Sequence, residues 1–125
     1  MPRRSLSEAA SSFQLRRPPR RGKVYWVAFG PARGGEIQKT RPAIVVSNDA
    51  ANTALNRLQV VPITSQTARV FPSEALVILR GERRKAMADQ LTTASRERLV
   101  GYLGRIDAAD MERVDRAIRL QLALG

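Results

Sequence analysis

The chain contains no histidine and no cysteine, so any chemistry it performs has to come from carboxylates, arginines, lysines and hydroxyls. Composition alone excludes a Ser-His-Asp triad, thiolate catalysis and Cys-based zinc binding. The carboxylates Glu36, Asp49, Glu74, Glu82 and Asp89 show no spacing that favours magnesium ligation over ordinary surface placement. The glycine and proline loops form neither a P-loop nor a GxGxxG run, and neither a metal nor a cofactor is expected. What this residue set leaves open is a reaction whose substrate brings its own nucleophile, and RNA cleavage by attack of the 2′-OH on the adjacent phosphate is the leading example. A catalyst for it must align the 2′-oxygen, stabilise added negative charge on the phosphate oxygens and assist proton movement. Arginine suits the second task, because its planar fork gives paired, charge-assisted bonds to phosphate and stays cationic. A threonine hydroxyl can fix a phosphate oxygen.

Such side chains need a scaffold, and the apolar runs supply one. KVYWVAF after Gly22 is rich in β-branched and aromatic residues and ends at Gly30 and Pro31, as a strand entering a loop does. A polar, turn-forming stretch over 30–40 leads to RPAIVVSND, a second strand closed by Asn48 and Asp49. In a third run, Leu58–Ser65, Pro62 cannot donate to a ladder and points to an edge position or a bulge. Glu74–Leu79, Lys85–Leu91 and Leu99–Ile106 read as further strands. At the end, Asp107 can cap a helix whose first turn carries Asp110 and Glu112, with Arg116 and Arg119 nearer its C-terminus. Met111, Val114, Ile118 and Leu122 recur at helical spacing and form a packing stripe. The order of elements implies a strongly bent, mostly antiparallel sheet with a helix across it.

With 125 residues the chain suits one domain. It carries 22 basic against 11 acidic side chains, a formal charge of +11, which makes a polyanion the first partner to consider: nucleic acid, then an acidic protein segment. Residues 1–20 hold RRPPR among serines and alanines, and read as a disordered basic arm, either a passive extension or a nucleic-acid-binding tail, ahead of a body at 21–125. No run has the length of a membrane span, and Ser5–Gln14 lacks the apolar core of a secretory signal; a cytoplasmic protein is expected.

The stretch from Arg21 to Asn52, RGKVYWVAFGPARGGEIQKTRPAIVVSNDAAN, closely resembles the start of MazF/PemK-type toxins, with their RG, aromatic-rich strand, proline loop, G-x-E and RP-x-I-V-V-S pattern. The likeness continues through VVPITS (Val60–Ser65), ADQL (Ala88–Leu91), LGRI and the closing helix, covering about residues 21–123. It implies an SH3-like barrel of antiparallel strands with a C-terminal helix, a fold shared with CcdB-like toxins, and a homodimer. It also implies the toxin half of a type II toxin-antitoxin pair, restrained by a MazE-like antitoxin with an acidic C-terminal segment. The implied activity is metal-independent cutting of single-stranded RNA, leaving 2′,3′-cyclic phosphate and 5′-OH ends.

Taken alone, Arg41 reads as a surface arginine at a strand entry and Thr64 as an ordinary strand hydroxyl. The resemblance gives both a catalytic role. It puts Glu36, Gln38 and Lys39 in a loop over the site and adds Ser65 and Gln90 as RNA contacts, although a buried amide satisfying the backbone explains Gln90 nearly as well. Glu36 is a positional candidate for the base. Tyr25 and Trp26 are adjacent on a strand and point to opposite faces, so at most one meets RNA, and core packing is favoured for both. Thr92 stands where some relatives carry a basic residue. Arg69, Phe71 and Pro72 occupy a variable loop suited to setting sequence preference. The competing readings are a CcdB-like, non-nuclease toxin that binds DNA gyrase, and a catalytically silent nucleic-acid-binding module.

Overall fold

In the computed structural model, which describes residues 12–30 and 39–125, the apolar runs become strands β1 (Lys23–Phe29), β2 (Lys39–Val45), β3 (Arg57–Thr64), β4 (Glu74–Leu79), β5 (Glu82–Met87), β6 (Thr92–Ser95) and β7 (Leu99–Arg105). Helix α1 (Asp49–Ala54) follows β2, and α2 (Ala108–Gln121) closes the chain. The sheet runs β4-β5-β3-β2-β1-β7, with β6 also against β3, and every pairing is antiparallel. Among the described residues no ladder joins β4 to β7. The barrel-like form is a bent sheet whose ends meet through side chains: a Cβ at Gly104 of β7 would lie 3.4 Å from Leu79 Cδ1 of β4.

Strands β1 to β3 are continuous apolar runs because both of their faces are covered. Val24, Ile44, Val61 and Ile63 join one core cluster with Ala75, Val77 and Leu79 of the β4–β5 hairpin and Met111, Val114 and Ala117 of α2. Tyr25, Val27, Ala43, Val45, Leu58 and Val60 join a second, on the other face, with Ala94 and Leu99. Pro62 lies neither at an edge nor in a bulge. It stands in the central strand between Arg57–Val60, which pair with β6, and Ile63–Thr64, which pair with β5. Its missing N–H falls where β3 changes partner, which is why proline is tolerated there.

Helix α2 begins as its sequence requires, with the Asp107 carboxylate accepting from Asp110 N at 2.8 Å. Asp110 is buried, pairs with Arg113 and accepts from Ile78 N at 2.9 Å, tying the helix to the outer strand of the hairpin. The stripe ends one turn early, because Leu122 lies past the helix and is exposed. The run from Lys85 to Leu91 is also divided: β5 ends at Met87 and a 3₁₀ turn spans Ala88–Gln90. Within the basic arm, residues 12–16 form a helical turn: Leu15 packs against the second cluster and Gln14 Oε1 accepts from Lys23 Nζ at 2.7 Å. Residues 1–11 lie outside the described residues. No described helix is long and apolar enough to cross a membrane.

The first strand is fastened at its start by α1. Asn48 caps the helix by accepting from Ala51 N at 2.8 Å, and Asp49 Oδ1 accepts from Arg21 N at 2.7 Å. Those bonds bring Gly22, at φ +90°, against Val45 O through a 2.8 Å bond. The Arg21 backbone bond, followed by the Asn52 amide and the Arg20 and Arg21 charges, lowers the Asp49 pKa from its ordinary 3.8, outweighing partial burial. A carboxylate with a depressed folded pKa stabilises the fold above its unfolded pKa and loses that contribution as pH falls through the folded value. Urea midpoints measured from pH 6 downward should therefore fall more steeply below about pH 4 for the wild type than for Asp49→Asn, with the two curves converging in strong acid.

Candidate active groove

The β2–β3 ladder pairs Val45 with Val60, Ile44 with Val61 and Ala43 with Pro62. On the other side of β3, Thr64 pairs with Lys85 of β5. The β2–β3 ladder ends at Ala43 and Pro62; just beyond it Arg41 and Thr64, with Lys85 as the cross-strand partner of Thr64, border the same recess.

This recess is a groove of about 970 Å³ whose wall includes Trp26, Arg41, Thr64, Ser65, Arg80 and Lys85. Its floor is apolar (Ile63, Leu79, Leu103) and its rim is cationic, with Glu82 as the one lining carboxylate, held by Arg84 at 2.6 Å. Arg41 is exposed and has no acidic partner among the described residues. Thr64 is half-buried, and its Oγ1 accepts from Gln66 N at 3.2 Å. That bond occupies a lone pair and leaves the hydroxyl hydrogen free to donate.

On the far side of Arg41 a smaller hollow of about 390 Å³ is lined by Phe29, Lys39, Pro62, Gln90 and Thr92. Arg41 thus separates two recesses, and the other described residues to which the resemblance gives a catalytic or RNA-contact role border one of them: Thr64 and Ser65 the larger, Lys39 and Gln90 the smaller. Glu36 and Gln38 lie outside the described residues. The Gln90 side chain is exposed, and among the described residues its one hydrogen bond is a 3.5 Å contact from Nε2 to Met87 Sδ. It does not satisfy buried backbone.

Tyr25 and Trp26 divide as strand geometry demands, yet only Tyr25 is core. Trp26 is 41% exposed, borders the groove and lies so close to Gly101 that a Cβ there would sit 3.2 Å from Trp26 Cδ1. A register shift between Trp26 and Val27 in the β1–β7 ladder accompanies this outward placement. The Tyr25 hydroxyl is buried without a hydrogen-bond partner, and burial, then Tyr102, pushes its pKa up to about 12.

No motif or spacing marks Arg80, Arg84 or Lys85 as groove residues. RGERRK reads as a turn followed by a charged strand. Arg80 and Gly81, at φ +53° and +79°, make the two-residue hairpin turn, and only the pairing of β5 with β3 brings Lys85 beside Thr64.

Comparison with known proteins bears on this geometry. Residues 20–122 match the family described as PemK-like, MazF-like toxin of type II toxin-antitoxin system. The chain is 40% identical over 114 residues to Endoribonuclease MazF9 of Mycobacterium tuberculosis, covering 84% of this chain and 97% of the relative. It is similar to a mycobacterial endoribonuclease solved in complex with its cognate antitoxin (TM-score 0.71, 27% identity, 86% of this chain and 97% of that one). It is similar also to a MazE-MazF structure from Deinococcus radiodurans (TM-score 0.74, 26% identity, 87% and 99%). With the family pattern spanning nearly the whole described body and the same fold in its solved relatives, the chain belongs to the PemK-like, MazF-like toxins of type II toxin-antitoxin systems.

Proposed function

We propose that this chain is an endoribonuclease toxin that cuts single-stranded RNA without a metal ion, by attack of a 2′-OH on the adjacent phosphate. The observation that supports it most is that Arg41 and Thr64, from adjacent strands, line one cationic groove. In this reading the RNA phosphate sits between them. The 2′-oxygen forms a bond to phosphorus and the bond to the 5′-oxygen breaks, giving a 2′,3′-cyclic phosphate and a 5′-hydroxyl. Arg41 offsets the added charge of the five-coordinate phosphate and donates a proton to the leaving 5′-oxygen, while the free hydroxyl hydrogen of Thr64 binds a non-bridging oxygen. Glu36 is the candidate to receive the 2′-OH proton. Positive charge that a metal would otherwise supply comes from Arg41 and Arg80, neither of which has an acidic partner among the described residues.

Ser65 in the groove, with Lys39 and Gln90 in the smaller recess, extends the RNA contact to nucleotides flanking the cut. The protein acts as a homodimer in the cytoplasm, and an antitoxin competes with RNA by placing an acidic segment over the same cationic rim.

Incubating purified protein in EDTA with long single-stranded RNA should give cuts at a short recurring motif with 5′-hydroxyl ends. Arg41→Ala and Thr64→Ala should remain folded and each lose about 10²–10³-fold in rate, the usual effect of removing one donor aimed at developing charge. Intact RNA from folded wild-type protein over several transcripts would turn the reading toward a gyrase-binding or silent nucleic-acid-binding protein. A second measurement addresses the groove itself: binding of an RNA blocked by 2′-deoxy substitution at the cut should weaken with salt, by a logarithmic slope of about −0.7 for each phosphate engaged. A flat response would count against a phosphate-binding groove.

A further inference from the structure

Lys85 is one of three buried polar or charged residues among those described, with Asn52 and Asp110. Burying an ion pair gives little net stability over a well-packed apolar pair, so the fold itself does not demand this charge. Its bonds run in one direction. Lys85 Nζ donates to Arg69 O at 3.0 Å and pairs with Glu74 Oε2 at 3.2 Å, both side chains being about one-tenth exposed. Glu74 is itself engaged with the same loop: its Oε1 accepts from Phe71 N at 2.8 Å, its own N–H donates to Phe71 O at 2.9 Å, and Ser73 O accepts from Ala88 N at 3.0 Å. At the other end, the Thr64 hydroxyl holds Gln66 N. The segment 65–73, which has no strand or helix of its own, is thus pinned where it leaves Thr64 and where it enters β4.

We propose that Lys85 is a positioning residue for the reaction. Its ammonium clips the 65–73 loop to β5, and this fixes the wall of the groove formed by Thr64, Ser65 and Gln66 against Arg41. The inference rests on the endoribonuclease reading for its functional half only. Lys85 acts through the loop: both partners of its ammonium belong to the loop or to Glu74 at its end, and the ammonium bonds neither Arg41 nor the Thr64 hydroxyl. The loop so held presents exposed Phe71, with the Arg69 guanidinium 5.8 Å from the ring centroid.

The test compares wild type, Lys85→Met and the charge-neutral double variant Glu74→Gln/Lys85→Met, which leaves no unpaired buried charge if the single variant fails to fold. Limited trypsin digestion, mapped by mass, reports the loop directly, because Arg69 is exposed and the Arg69–Val70 bond is a trypsin site. The double variant should unfold cooperatively like the wild type yet be cut at Arg69–Val70 about tenfold faster. Its kcat on a short RNA should fall about ten- to a hundredfold with KM little changed, as small misplacements of a catalytic constellation do. Its salt slope for the 2′-deoxy-blocked RNA should equal that of the wild type. Wild-type protection and kinetics in a folded double variant would overturn the proposal. So would a salt slope smaller by about 0.7, since that would make Lys85 a direct phosphate contact. If the wild type cuts no RNA, the enzymatic reading falls, whereas the trypsin comparison still decides whether Lys85 holds the loop.

Discussion

The register between β2 and β3 is the constraint on which the site depends. A slip of one residue would turn every side chain of β2 to the opposite face. Ile44 would leave the cluster beneath α2, Ala43 and Val45 would leave the one beneath β6, and Arg41 would turn away from the groove that Thr64 borders. Because both faces of these strands are buried, a slip is opposed by two cores at once, and the placement of Arg41 relative to Thr64 inherits that stability without any bond between the two side chains. The cation can therefore remain exposed, with no acidic partner among the described residues, while the backbone beneath it is held by buried valines and isoleucines.

The change of partner along β3 carries the same logic to the third strand. Up to Val60 the strand is paired with β6, and from Ile63 with β5. Had β6 continued, Thr64 would face a short polar strand, and the groove would lose its hairpin wall. Pro62 sits at this transition, and its inability to donate there costs nothing because neither neighbour offers an acceptor in a regular ladder. A residue that by itself looks like a strand terminator marks the point where the sheet folds over to enclose the site.

Much of this was legible in the sequence, and the limits follow from physics. The first strand, the fourth strand and the Asp107 cap were readable because apolar periodicity and capping are local signals. Arg41 and Thr64 were recognisable from the motifs around them. Lys85 was not, since cross-strand neighbours are set by register over a separation of 21 positions, which no spacing rule encodes. Helix α1 was hidden because DAANTA follows a turn-like Asn48 that turned out to be its cap, and β6, TTAS, is short, polar and held mainly by pairing with β3. Core packing was favoured for Trp26, whereas it is exposed beside the groove, where the β1–β7 ladder shifts register.

Where the acids are placed decides which cations remain available. Asp115 holds Arg21, Asp110 holds Arg113, Glu82 holds Arg84 and Glu74 holds Lys85, so four basic side chains near the helix and hairpin are committed to the fold itself. Two kinds of cation are used for two tasks. Lysine, a compact charge with rotatable donors, serves in the confined space between β5 and the loop, and arginine, planar and weakly hydrated, serves at the open rim where phosphate would dock. With these four acids held by internal partners, Arg41 and Arg80, which border the groove, have no acidic partner among the described residues. The positive surface there thus follows from local pairing at least as much as from net charge, because a chain equally basic overall but with Glu82 or Glu74 turned toward Arg41 would present a neutral mouth to the same polyanion.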